Sequence, residues 1–385
     1  MPGFEVIGAE EQAEIDDIFA RGGVLFRHGF DAIRNGSYKV REFESAFAEY
    51  MGVPHALAVT SGTAALRVAL AVLDLQPGDE VVTQSFTFVA TAEAIIESRA
   101  VPVCCEIDGT LNMDPVDLER RITPRTKAVI AVHMLGTPAR LPEIAALCER
   151  RGVTLIEDAA WGCGGSLDGR ALGTWGRMGT FSFDFAKTMT TGEGGMIVFH
   201  DRSDYERAAA WHDHGHENNP SVPRWEDTRS GSGFNYRMTE LQGAVGLAQL
   251  RKLADVVRRQ QSNRDAIWRS IRDLPGVVAR EVPRGSVETA DALVFESPSP
   301  EVARELRKRL VDAGLATKIL PEAVTWHFAA TWSHMPELVE HHGDLATAFP
   351  ATAARLARCV SLPVMVNMED SVPARVRAAL ASALS

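Results

Sequence analysis

Apolar positions in this chain fall into short runs separated by stretches with helical spacing, and the alternation is regular over much of its length. The runs 55–60, 80–83, 100–106, 128–133 and 154–157 have the length and apolar content of buried strands. Between them, 64–73, 87–98, Pro115–Arg121 and 140–151 repeat their apolar residues at helical spacing. Strands and helices alternating in this way predict an α/β fold with a largely parallel sheet covered on both faces. Ligands of such sheets sit beyond the carboxyl ends of the strands. Ahead of this region, 10–21 is helix-like, and Phe43, Phe47 and Tyr50 give 41–51 one apolar face. The periodicity disappears over 214–238, where Gly, Pro, Ser and Asn dominate, and an irregular stretch of that length is usually functional or faces a partner. It returns as an amphipathic helix over 239–253 that continues to about 271. A smaller α/β unit follows, with strands at 292–296 and 316–320 and helices at 300–313, 345–358 and 372–384. The expected organisation is an N-terminal arm (1–35), a large domain (36–255) and a small C-terminal domain (256–385).

With 385 residues, of which 45% are hydrophobic and 24% charged, the chain has material for a large core and an appended unit. A net charge of -11 argues against a nucleic-acid partner, and the basic run 250–272 is read as the solvated face of a helix. The five cysteines show neither paired CxxC spacing nor a ligand cluster, so neither a disulfide framework nor a metal site is expected. No apolar run reaches the roughly 18 residues needed to cross a bilayer, and no signal-like segment opens the chain. The expected setting is the reducing cytoplasm, away from membranes.

Candidate chemistry centres on FSFDFAKTMTTGEGGM, residues 181–196, which places a single lysine, Lys187, among Phe181, Phe183, Phe185 and Met189. A primary amine in such surroundings loses solvation of its charged form, so its pKa falls and it becomes available as a nucleophile, as a Schiff base requires. Two further features stand at predicted strand ends. Ser61, Gly62 and Thr63 precede a helix, where hydroxyls and unpaired N–H groups suit a phosphate, and Asp158 ends the run 154–157. Each also has a plain structural reading, as a surface lysine on a turn, a helix N-cap and a turn cap. An imine-forming lysine, an acid for a ring nitrogen, a stacking aromatic and a phosphate cradle are together the requirements of pyridoxal 5'-phosphate.

The ordered motifs SGT, FTFVAT, EDAA, FSF…K…GEGG and NYRM resemble the DegT/DnrJ/StrS aminotransferases, the sugar-aminotransferase branch of the pyridoxal-phosphate-dependent fold type I enzymes, over nearly the whole chain. The resemblance implies a large domain with a mostly parallel sheet and a smaller C-terminal α/β domain. It implies that Lys187 is the Schiff-base lysine and proton shuttle, and that Asp158 pairs with the ring nitrogen. Phe88 and Ala160 would pack on the two faces of the ring, while Gly62, Thr63 and Ser182 would bind the phosphate. Asn235 would reach the phosphate of a neighbouring subunit's cofactor, which makes a homodimer with shared sites. Trp161 stands where many relatives have Gln or His, leaving open whether its indole N–H holds the ring hydroxyl or its ring shapes the substrate pocket.

The activity implied is transfer of an amino group from glutamate or glutamine to a carbonyl carbon of a sugar-like acceptor. The stretches MPGFEVIGAEE, FRHGFDAIRN, DHGHE and GLAQLRKL resemble the branch that aminates an acidic eight-carbon sugar aldehyde. Arg27, Arg237 and Lys318 are the candidate cations for a substrate carboxylate, with His214, His216 and His327 as polar partners. Alternatives are an aminotransferase of nucleotide-linked keto-sugars and a non-catalytic cofactor-binding regulator. A dehydratase of the same family would carry histidine in place of Lys187.

Overall fold

The computed structural model describes residues 2–219, 221–321 and 323–384; Met1, Pro220, Glu322 and Ser385, which fall within the expected arm, irregular loop and C-terminal unit, lie outside the described residues. Nine strands of the first half and its end come in the order β1 (His55–Val59), β2 (Glu80–Gln84), β3 (Val101–Cys105), β4 (Thr126–Val132), β5 (Thr154–Asp158), β6 (Ser166–Leu167), β7 (Arg170–Ala171), β8 (Met178–Ser182) and β9 (Gly195–Phe199). Seven of them form the central sheet in the order β1-β9-β8-β5-β4-β2-β3. Pairing is parallel from β3 through β8 and antiparallel on either side of β9. The expected α/β architecture with a mostly parallel sheet is therefore present.

Alternation of side chains along the buried strands divides the core into two layers. Leu57, Val81, Ile130, Ile156 and Ile197 face the helices Gly62–Val72 and Val89–Glu97. Ala58, Val82, Val129, Leu155, Phe181 and Val198 face the helices Lys39–Met51 and Leu141–Arg151. The predicted N-terminal helix is Ala9–Ala20. It docks on the 32-residue helix Glu240–Ile271, where Lys252 is 2.8 Å from Glu11 and Gln249 donates to Glu11 at 2.8 Å. Positions 255 and 256, where the expected large and small units meet, are consecutive residues inside this helix.

A second sheet, built from β10 (Val278–Ala279), β12 (Ala292–Glu296) and β13 (Cys359–Pro363), packs with the helices Pro300–Asp312 and Val372–Leu384 around a separate core of Leu293, Phe295, Leu306, Val360 and Leu380. The two-residue β11 (Ser286–Val287) joins β6 and β7. The strand expected at 316–320 does not form. Lys318 donates its N–H to Ser361 at 2.8 Å, but Ile319 takes a left-handed backbone (φ 55°) and ends the extended run. The helix expected over 345–358 is divided into Leu345–Ala348 and Pro350–Leu356, with Pro350 opening the second piece, as its missing N–H favours. Among its described residues, the irregular segment 214–238 holds one short 3-10 turn, Arg224–Glu226.

Candidate active site

Strands β5 and β8 run parallel with Asp158 opposite Thr180, so the acid and Ser182 emerge at the same edge of the sheet. Asp158 is buried, its carboxylate accepting from the Thr91 hydroxyl and the Ala160 N–H at 3.1 Å each. Burial pushes this carboxyl above its ordinary pKa, while the Ala160 N–H, the charge of Lys187 and the Thr91 hydroxyl pull the other way. Thr91 is in turn 2.8 Å from Thr87, whose N–H is bonded to the His327 carbonyl at 2.9 Å. Thr91 closes the motif FTFVAT, yet nothing in that motif distinguishes its hydroxyl from a helix-packing one.

The loop after β8 carries Lys187. Its amine makes no hydrogen bond among the described residues and sits 4.0 Å above the ring of Trp161. Burial lowers its pKa to about 8, against the opposing charges of Asp158, Asp291 and Asp184. The direction agrees with the sequence reading, but the cause differs. Phe181 and Phe183 point into the opposite layer, their rings 5.1 and 5.4 Å from Phe47 and Phe43, and Phe185 is half exposed. The aromatic beside the amine is Trp161.

The cradle expected at Ser61, Gly62 and Thr63 is the start of the helix Gly62–Val72, with the Ser61 hydroxyl accepting the Ala64 N–H at 3.0 Å. A Cβ added at Gly62 would lie 2.7 Å from the Ser182 Cβ, so the missing side chain is what lets the helix start press against this serine. Thr63 is exposed beside it. This combination fits a phosphate, since the N–H groups of a helix start and the Ser182 hydroxyl lie side by side. Across the crevice Phe88, 37% exposed, lies 5.4 Å from His327 and 6.1 Å from a nearly parallel Trp326. His327 is also 6.4 Å from Trp161, and burial, with the charge of Lys187, lowers its pKa to about 4.

Five sequence candidates stand outside this cluster. Arg27 is buried with its guanidinium 2.7 Å from Glu44 and bonded to the Ala58 carbonyl at 3.2 Å. Arg237 pairs with buried Asp213, which also receives Arg224 and lies 3.2 Å from His28. His214 is exposed, while the neighbouring His216 pairs with Asp227 at 3.2 Å. Asn235 is exposed next to Tyr236, whose carbonyl accepts the Thr60 N–H at 3.0 Å, and its own side chain accepts the Arg237 N–H.

Two contributors came from distant sequence without a local signal. Asp291, buried ahead of β12, holds Lys318 at 2.6 Å, and the Lys318 amine lies 4.5 Å from the Trp161 ring. Gly3, buried at the N-terminus, donates its N–H to the Lys187 carbonyl at 3.0 Å, which gives the opening residues a structural part in the lysine loop.

Comparison with known proteins agrees with this arrangement. Residues 28–381 match the DegT/DnrJ/EryC1/StrS aminotransferase family. The chain is 35% identical over 323 residues to the dTDP-4-dehydro-2,3,6-trideoxy-D-glucose 4-aminotransferase of Saccharopolyspora spinosa, covering 81% of each chain. It is 35% identical over 286 residues to the GDP-perosamine synthase of Escherichia coli O157:H7, covering 74% of this chain and 76% of that one. The crystal structure of 3-amino-5-hydroxybenzoic acid synthase superposes with a TM-score of 0.83 at 30% identity, over 98% of this chain and 96% of the other. This chain belongs to the DegT/DnrJ/EryC1/StrS family, whose members depend on pyridoxal phosphate, and it is an aminotransferase.

Proposed function

We propose that the chain moves an amino group from glutamate or glutamine to a carbonyl carbon of a free, acidic sugar, of which an eight-carbon sugar aldehyde is the leading example. The observation that supports amino transfer is the meeting, beyond the ends of β5 and β8, of an amine with no hydrogen bond among the described residues, a buried acid and a helix start pressed on Ser182. Pyridoxal phosphate, when bound, supplies an aldehyde carbon that carries the amino group and a ring that takes up the electron pair of the broken C–H bond. Gly62, Thr63 and Ser182 would hold its phosphate, Asp158 its ring nitrogen, and Phe88 and Ala160 its two faces. Asp158 keeps a proton on that nitrogen because a carboxylate pairs better with the charged than with the neutral ring. Lys187, unprotonated, would be the residue that holds the aldehyde carbon of the resting cofactor and, when freed, the base that moves a proton between the two carbons flanking the transferred nitrogen. His327, held neutral at pH 7, can accept or donate a hydrogen bond to the acceptor from the Phe88 side.

The four stretches named above, from the start of the chain to the run that begins at Gly246, resemble those of 8-amino-3,8-dideoxy-manno-octulosonate transaminases, and this resemblance supports the acidic acceptor. A second reading, transfer to a nucleotide-linked keto-sugar, is supported by the dTDP-linked keto-sugar and the GDP-linked amino sugar in the names of two relatives. Enzyme first charged with glutamate and then offered each class of acceptor separates them. Return of the cofactor's aldehyde absorbance with a free acidic sugar aldehyde is the expected result. Return only with nucleotide-linked keto-sugars would establish the second reading.

A further inference from the structure

Three cations were candidates for a substrate carboxylate, and the fold separates them. Arg27 is occupied by Glu44 and the Ala58 carbonyl, and Arg237 by Asp213. Lys318 alone of the three shares the Trp161 indole with Lys187, the two amines lying 4.5 and 4.0 Å from the ring centre.

Lys318 is also immobilised. Its N–H is bonded to the Ser361 carbonyl at 2.8 Å and its carbonyl accepts the Ser361 hydroxyl at 2.7 Å, so the residue is fixed to the edge strand β13. Its amine is 2.6 Å from Asp291 Oδ2 and 3.4 Å from the Asp291 carbonyl. An ammonium has three N–H donors, and these contacts leave at least one unspent. The Lys318 side chain keeps 19% of its surface exposed, whereas Asp291 keeps 2%. A cation reachable from solvent is thus backed by a counter-ion that is not. Trp161 supplies an aromatic wall that tolerates positive charge on its face without adding a competing acceptor.

We propose that Lys318 is the carboxylate-binding residue of the substrate site, receiving the acidic group of the amino-acid donor and then that of the acceptor. Trp161 and Asp291 act as positioning residues for it. Binding both partners in turn through one anchored ammonium explains how a single pocket admits two substrates of different size, provided both are acids. An anchored side chain also loses little rotamer freedom when the anion arrives. The inference rests on the reading of the preceding subsection in that it assumes acidic substrates.

The test is a calorimetric titration of the full-length, cofactor-loaded protein with glutarate, a dicarboxylate that carries no amine or ketone. Loss of a charged hydrogen bond in Lys318→Gln should weaken glutarate by roughly 10- to 100-fold, and Lys318→Arg should retain most of the affinity. In steady state, Lys318→Gln should raise the KM for glutamate far more than it lowers kcat, as removal of a contact made equally in ground and transition states does. Equal glutarate affinity in wild type and Lys318→Gln would overturn the assignment. So would no measurable binding to wild type, or an equal loss in the Gln and Arg variants. Failure of every sugar acceptor in the transfer screen would end the functional reading, while the glutarate titration would still decide the role of Lys318.

Discussion

Lysine in water gives up its proton near pH 10.5, and the same group at Lys187 does so at about 8 because burial costs the charged form more than the neutral one. Since the pKa is lowered, the nucleophilic, unprotonated amine accumulates as pH rises through about 8. Capture of pyridoxal phosphate by cofactor-free protein, trapped with borohydride and located at Lys187 by mass spectrometry, should therefore rise through that pH and level off. A rate still climbing at pH 10 would show an ordinary, solvated lysine. Lys187 and Asp158 were legible in the sequence because each sits in a short motif at a strand end. The environment of Lys187 was not. Alternation along β8 sends Phe181 to the far layer, and the aromatic that does approach the amine, Trp161, comes from the turn after the neighbouring strand β5. Lys318 was legible only as one of three candidate cations, and its partner Asp291 carried no signal, since the two meet in space from different elements.

At the level of elements, the start of the helix Gly62–Val72 and the end of β8 depend on each other through one missing side chain. Gly62→Ala would place a methyl 2.7 Å from the Ser182 Cβ and 3.0 Å from its hydroxyl, and neither atom lies at the far end of a flexible chain. Overpacking of this kind costs about 1–3 kcal/mol, and here the strain falls on the two groups assigned to the phosphate. The variant should therefore bind pyridoxal phosphate roughly 10-fold or more weakly, each factor of ten being about 1.4 kcal/mol, as measured by equilibrium dialysis. Unchanged affinity in a folded variant would remove this pair from the phosphate site. Strand and helix periodicity anticipated the central sheet well, because buried parallel strands are nearly continuous apolar runs. It missed the helix Pro336–His342 and the strand Cys359–Pro363, and it extended 316–320 past a residue whose left-handed backbone no spacing rule reveals.

For the molecule as a whole, the shared homodimeric site remains a proposal, and its motive is visible on the surface. Asn235 is exposed, and so are Phe30, Trp225 and Phe234, three large apolar side chains of the same two segments. Chains carrying Lys187→Ala and chains carrying Asn235→Ala, each inactive alone, should regain part of the activity after mixing and subunit exchange, because one of the two sites in a mixed pair has both intact parts. Proven exchange without recovery would argue for a site complete within one chain. The helix Glu240–Ile271 bears on how such a site is entered. Its 32 residues span roughly 48 Å at 1.5 Å per residue. Near its start Gln249 accepts the Thr190 N–H of the lysine loop at 3.2 Å, and further along Gln260 donates to the Val364 carbonyl just past β13 at 3.0 Å. The wall that carries Lys187 and the wall that carries Lys318 are thus bolted to one rod, which leaves the jaws of the site no hinge between them and hands the task of admitting a bulky sugar to the loops at its mouth.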